Sequence, residues 1–261
     1  MTLALASVQR TRIELLRFGR TREHVLFSFA LPVVLMTLLA SILGGEIGST
    51  GVDFSQYIVA GMIATVALNV GVNDLAPQLA LDRADGTVKR LGGTPMPPAA
   101  YVLGKLGSVV VTAILQTAIL LAIGVALFGV ELPSADRWVT FSWVFVLGLT
   151  SAVLLGMAIS TVATDPRSAS AVVTLPFIAL QFISGIWFQF SDLPSGLQQF
   201  ASLFPLRWMA LGMRSVFLPD SFAANEPGGS WQLGMVALVL ALWTAVGLAL
   251  VLGRFRLRTE R

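Results

Sequence analysis

Few residues in this chain could do chemistry, and most of them stand inside apolar runs. Asn69 and Asn73 are four apart, and Asp74 follows. A helix would put both amides on one face with the carboxylate beside them. Ionisable groups at membrane depth are costly and face a cavity or a partner. The trio therefore reads as the polar wall of a transport path, as interhelical hydrogen bonding, or as an Asp reaching interfacial water. On the boundaries used here Asp74 is the only acid within an apolar run. Gln116 and Gln181 are lone amides in two other runs and fit a structural role as well as a path. Catalysis would need paired acids, several histidines, or a nucleophile beside a base. The chain has 1 histidine, His24, and 0 cysteines. Thiol chemistry, disulfides and a multi-histidine metal site within one copy are excluded. His24, at the mouth of the first run, suits an interfacial hydrogen bond. No phosphate-binding loop is present, because Gly104-Lys105 lacks the earlier glycine and the Ser/Thr that must follow. The expectation is a chain that is not an enzyme and holds no cofactor or metal of its own.

The elements that must position these residues follow from composition. Of 261 residues, 56% are apolar and only 12% charged; a soluble domain carries roughly a quarter charged residues. A spanning helix needs about 20 apolar residues. The expected fold is an all-α integral membrane protein with six spans: 25–43, 56–79, 101–130, 138–163, 169–190 and 231–253. Pro32 inside the first is tolerated in a membrane helix. Residues 1–24 form an expected amphipathic interfacial helix. Leu5, Val8, Leu15 and Leu16 share one face, Arg10, Glu14 and Arg17 lie opposite, and the stem of Arg12 can snorkel. The six-helix transmembrane domain then occupies 25–253, and 254–261 is a basic tail. Residues 191–230 are broken by Pro194, Pro205 and Pro219 into pieces half the length of a crossing. They read as two short re-entrant or interfacial helices, 196–204 and 206–218. Trp187, Phe188, Phe190, Trp208, Trp138 and Trp231 read mostly as an interface belt. Arg214 fits an outer gate or bundle salt bridge on one reading and an interfacial anchor on the other.

Charge sets the orientation. The N-terminus, the segment 82–105, the turn 164–168 and the C-terminus carry fourteen of the 17 lysines and arginines. The other side holds Arg137, Arg207 and Arg214 against seven acids. The positive-inside rule puts both termini in the cytoplasm. The basic residues cluster at membrane edges, so lipid is the expected neighbour and nucleic acid is not.

Segment 82–105 is the longest polar interruption. Asp85 can cap a helix start, with Lys89 and Arg90 near its end, where the helix dipole favours cations. Gly92-Gly93 then ends the helix, and Pro95, Pro97 and Pro98 stiffen the return. On charge alone this is a basic loop. Its motif, however, runs Gly86, Thr87, Val88, Lys89, Arg90, Leu91, then Thr94-Pro95, Tyr101 and Lys105. A second motif follows the fifth run: Ser184-Gly185, Trp187-Phe188, Leu193-Pro194, Pro205-Leu206 and Arg214. Together, with six spans at this spacing, they resemble the permease subunits of type-2 ATP-binding cassette exporters, the class that includes the daunorubicin-resistance-like permeases. The resemblance covers nearly the whole chain. Departures are Gln189 where Pro is frequent, Phe204 where Asn is frequent, and Arg207.

The resemblance implies a half-transporter in a bacterial cell membrane, working with a second copy or a sister permease. Cytoplasmic ABC ATPase subunits would bind ATP and Mg. Asp85 to Leu91 would be the coupling helix that meets the ATPase, and residues 1–24 the connecting helix. Substrate would be an amphiphilic drug, lipid or glycolipid moved outward. Two other classes stand beside this reading. A proton-coupled carrier would use Asp74, although no internal repeat of the sort common in carriers is evident. An intramembrane enzyme would need a constellation that the residues do not supply.

Overall fold

The computed structural model describes residues 2–94, 96–162 and 166–259. Pro95, and Thr164 and Asp165 of the expected turn, lie outside these, as do the side chains of His24, Pro98, Pro166 to Ala169 and Arg254 to Thr259. In chain order the helices are α1 (Leu3–Arg20), α2 (Arg22–Leu43), α3 (Phe54–Leu68), α4 (Leu75–Ala84) and α5 (Thr87–Gly92). There follow α6 (Pro98–Phe128), α7 (Ala135–Ser160), α8 (Pro166–Ile183), α9 (Ser195–Ala201), α10 (Pro205–Phe217) and α11 (Leu233–Thr259). A π-helical stretch, Asn69–Asp74, joins α3 to α4.

The core is built around α3. In the most apolar 18-residue stretch of Phe54–Ala84, 89% of the residues are buried, against 17% in the corresponding stretches of α2 and α11. Its small residues explain the close approach of its neighbours. A Cβ on Gly71 would lie 2.8 Å from Ala152 Cβ and 2.9 Å from Val153 N on α7. One on Gly156 would run into the Gly71 carbonyl. Every residue of α10 from Pro205 to Phe217 is buried, packed among α3, α7 and α11.

Among the described residues five helices are long and apolar enough to cross a membrane: Val25–Leu43, Phe54–Ala84, Ala99–Phe128, Ala135–Ser160 and Leu233–Gly253. The fifth expected span is shorter. Its apolar helix is Ser170–Ile183, and the chain turns at Gly185, whose φ of +72° suits glycine. The Gly185 carbonyl is taken by Arg214 Nη1 at 2.9 Å, which fixes that turn.

Three boundaries differ from expectation for local reasons. Helix α4 runs on through Asp82 to Ala84, because Asp82 is satisfied by cations from other helices. Asp74 is therefore not the only acid in a span. Helix α6 starts at Pro98, a proline at the first helical position, ahead of the expected start at Tyr101. Helix α11 continues past Gly253 to Thr259.

Helix α1 opens with Thr2 Oγ1 accepting from Leu5 N at 3.4 Å. Sequence pattern leaves its polar face to water, but the structure packs that face inward. Ala6, Arg10 and Glu14 are buried against α6, while Leu3, Leu5, Val8, Ile13 and Leu16 are exposed. Gly104 and Gly107 on α6 make the seat, since a Cβ on either would run into Arg10 or Thr11.

Candidate functional site

A cavity of about 910 Å³ opens between α1 and α2 on one side and α8 on the other, with α3, the π stretch and α4 as its wall. Four of the five residues expected along a path line it: Asn69, Asn73, Asp74 and Gln181. Phe27, Leu31, Leu35 and Phe177 make its apolar sides. Asn73 Nδ2 donates to Asn69 Oδ1 at 3.4 Å, and Thr174 Oγ1 donates to Asn73 Oδ1 at 3.0 Å. The amide face is thus held across to α8. The π stretch that carries it is a form frequent at functional sites, because it interrupts the regular α-helical hydrogen bonding. Asp74 Oδ2 accepts from Ser28 Oγ at 2.9 Å. Gln116 does not line the cavity. It stands behind Ser28, donating to the Ser28 carbonyl at 3.1 Å and to Ser28 Oγ at 2.7 Å.

The end of the cavity nearest α1 and α4 carries a charge cluster that sequence reasoning missed. Lys105 Nζ lies 2.7 Å from Glu14 Oε2 and 2.8 Å from Asp82 Oδ2. Tyr101 donates its hydroxyl proton to Asp82 Oδ2 at 2.9 Å, and Arg17 Nη1 meets Asp82 Oδ1 at 3.1 Å. Arg10 pairs with Glu14. Burial alone would lower the Arg17 pKa, but Asp82 and Glu14 outweigh it and hold the guanidinium protonated more firmly than usual. The cluster joins α1, α4 and α6. The only hint in the sequence is Glu14 standing among arginines, four residues after Arg10.

Helix α5 hangs between α4 and α6, the two arms that this cluster binds together. Its start is set by Gly86 at φ +75° and by Asp85 Oδ1, which accepts from Thr87 N at 2.8 Å. The bonds from Thr87 hold the Asp85 carboxyl below the usual range. Arg90 reaches back to Thr87 Oγ1 at 3.1 Å. Val88, Lys89 and Arg90 are exposed, and Leu91 is half-buried. The expected docking residues thus form one outward-facing turn.

At the opposite end the expected outer residues separate. Trp187 and Pro205 are buried, whereas Phe188 and Pro194 are exposed. Trp187 and Trp208 are therefore core residues rather than a belt; Trp208 Nε1 donates to the Ser202 carbonyl at 2.8 Å. Arg214 is fully buried, not a surface anchor. Its Nε lies 2.6 Å from Glu226 Oε1, and Arg207 Nη2 lies 3.0 Å from Glu226 Oε2. Burial would raise the Glu226 carboxyl, but Arg214 and Arg207 more than offset it and keep it below the usual range.

Residues 8–218 match the family described as ABC-2 type transporter. The chain belongs to that family. It is 25% identical to the inner membrane transport permease YadH of Escherichia coli, over 82% of this chain and 85% of the relative. It is 24% identical to the probable doxorubicin resistance ABC transporter permease protein DrrC of Mycobacterium tuberculosis, over 99% and 91%. It is also 24% identical to the probable multidrug ABC transporter permease YbhR of Escherichia coli, over 69% of this chain and 49% of that one. As an ABC-2 permease this is a multi-pass membrane subunit of an ABC transporter. Members normally work with ABC ATPase subunits, and the ATPase activity lies in that separate subunit.

Proposed function

We propose that this ABC-2 permease is one half of an ATP-driven exporter that carries an amphiphile from the cytoplasm or inner leaflet outward. ATP and Mg are bound by partner ATPases, which press on α5 from the cytoplasm. Both termini lie on that side, with the apolar face of α1 in the inner leaflet, and a second copy or a sister permease completes the path. The observation that carries this reading is the cavity, where an amide face on the π stretch looks onto apolar walls from α2 and α8. That lining suits a molecule with one polar end and one apolar body. The names of DrrC and YbhR, which refer to doxorubicin and multidrug transport, support an amphiphilic drug as one such cargo.

The experiment is co-purification of the tagged chain from its native membrane, followed by ATPase measurement with candidate cargo. A stoichiometric soluble ATPase, stimulated by amphiphiles and lost with Lys89→Glu plus Arg90→Glu, is the expected result. Stimulation by hydrophilic glycans alone would remove the amphiphile. A chain that purifies without any ATPase would sink the exporter and favour a carrier coupled through buried Asp74.

A further inference from the structure

The outer cluster contains one more positive charge than negative. Arg207 and Arg214 are 3% and 0% exposed and share the single carboxylate of Glu226. The other acids on this side do not balance them. Asp220 is exposed and pairs with Arg137 at 3.0 Å, and Asp192 is exposed. The Tyr57 hydroxyl is already used, accepting from Phe190 N at 3.2 Å and donating to the Phe188 carbonyl at 3.3 Å. The guanidinium faces rest on rings, Arg207 3.7 Å from the Phe190 centroid and Arg214 4.9 Å from that of Tyr57. Cation–π contact of this kind offsets part of the charge but leaves the N–H edges unmet.

One nitrogen of each guanidinium has no acceptor. Arg207 Nη1 and Arg214 Nη2 are buried without a hydrogen-bond partner. Two more orphans belong to the same neighbourhood: Trp187 Nε1 and Ser184 Oγ. Both stand in the turn whose Gly185 carbonyl accepts from Arg214 and whose Phe190 ring carries Arg207. Three of the four can only donate, and the serine hydroxyl can do so too. A buried uncompensated charge and buried unmet donors are each costly, and such groups are ordinarily satisfied. Water could accept from the donors but could not neutralise the charge. A monovalent anion does both.

We propose that this cluster binds a small monovalent anion of the chloride class, which locks α10 and the turn after α8 to Glu226. The test is thermal unfolding of the purified full-length permease in sodium chloride and in sodium gluconate at equal ionic strength. Expected is a saturable rise of about 5 °C in chloride. Arg207→Met and Arg214→Met each leave one neutral Arg–Glu pair, so either should abolish the rise. Broadening of the chloride-35 NMR line by the wild-type protein, reversed by bromide, is the second readout, and it decides the matter if neither variant folds. Equal midpoints in the two salts, together with no line broadening, would overturn the site. So would an unchanged chloride shift in both variants, which would trace the effect to ions elsewhere.

Discussion

Lys105 holds two carboxylates at once, from helices far apart in the chain, and that makes it the residue whose loss is felt most in its cluster. Its ammonium is 2.7 Å from Glu14 and 2.8 Å from Asp82, with all three side chains almost fully buried. Removing one member of a buried ion set leaves charge without compensation and costs about 3–5 kcal/mol. Lys105→Met should therefore lower the thermal midpoint sharply. Adding Asp82→Asn should recover part of the loss, because the two changes share one interaction. A double variant as unstable as the sum of the singles would show that the contact contributes nothing. Glu226 makes the matching statement at the opposite end of the helix bundle. Its folded pKa lies below the unfolded value of about 4.3. The stabilisation it supplies is complete above that value and is lost as pH falls below it. Midpoints recorded from pH 6 down should fall through the carboxylate range, and less steeply in Glu226→Gln. None of these partnerships can be read from local pattern. Glu14 and Lys105 are 91 positions apart, and Arg17 and Asp82 are 65 apart. Amphipathic spacing says which residues share a face, not what that face meets. Hence Arg10, Glu14 and Arg17 look like a solvent face in the sequence, yet in the structure Arg10 and Glu14 are buried and Arg17 is half-buried against Asp82.

Among the elements, α5 and the π stretch stand at opposite ends of α4. Helix α5 is too short to be stable by itself. It is held by Asp85 at its start and by the Asp82–Lys105 and Asp82–Tyr101 contacts between its arms. Of its outward residues, Lys89 takes part in none of these, and Arg90 adds only exposed contacts, 3.9 Å from Asp85 Oδ1 and 3.1 Å from Thr87 Oγ1. Lys89→Glu with Arg90→Glu should leave the thermal midpoint within about 1 °C, since changes on an exposed surface cost little, yet abolish ATPase co-purification. Loss of both would mean that the turn serves the fold. The π stretch is fixed on its other side by Gly71 against Ala152 and Gly156. Gly156→Ala should cost about 1–3 kcal/mol through overpacking, read as a lower midpoint. Helix positions were legible because a run of about 20 apolar residues is a local property. The π stretch and the early end of α8 were not legible. One depends on what packs against Gly71, the other on an arginine from α10 that takes the Gly185 carbonyl.

At the scale of the whole molecule the charged clusters sit at the two ends and the cavity lies toward one side. The core helix Phe54–Ala84 contacts both clusters, through Asp82 at one end and Tyr57 at the other, and it carries the amide face between them. On the proposed function, a push on α5 would reach the cavity through α4, whose Asp82 is paired with Arg17 of α1 and Lys105 of α6 and which meets the bundle at the π stretch. Substrate entering between α2 and α8 would feel that movement at Asn69 and Asn73. The decisive variant changes the cavity without touching either cluster. Thr174 faces Asn73 across it, with its hydroxyl donating at 3.0 Å. Thr174→Trp would place an indole in the space that the cargo body occupies and remove the hydroxyl partner of Asn73. Basal ATPase activity of the assembled complex should persist, and ATPase subunits should still co-purify, because α5 and its arms are untouched. Stimulation by amphiphilic cargo should fall at least tenfold, as should efflux from cells or vesicles. A smaller cargo should lose less than a larger one, since the indole takes up volume and not charge. Full stimulation in Thr174→Trp would place the path outside this cavity, most directly on the surface that a second permease would cover.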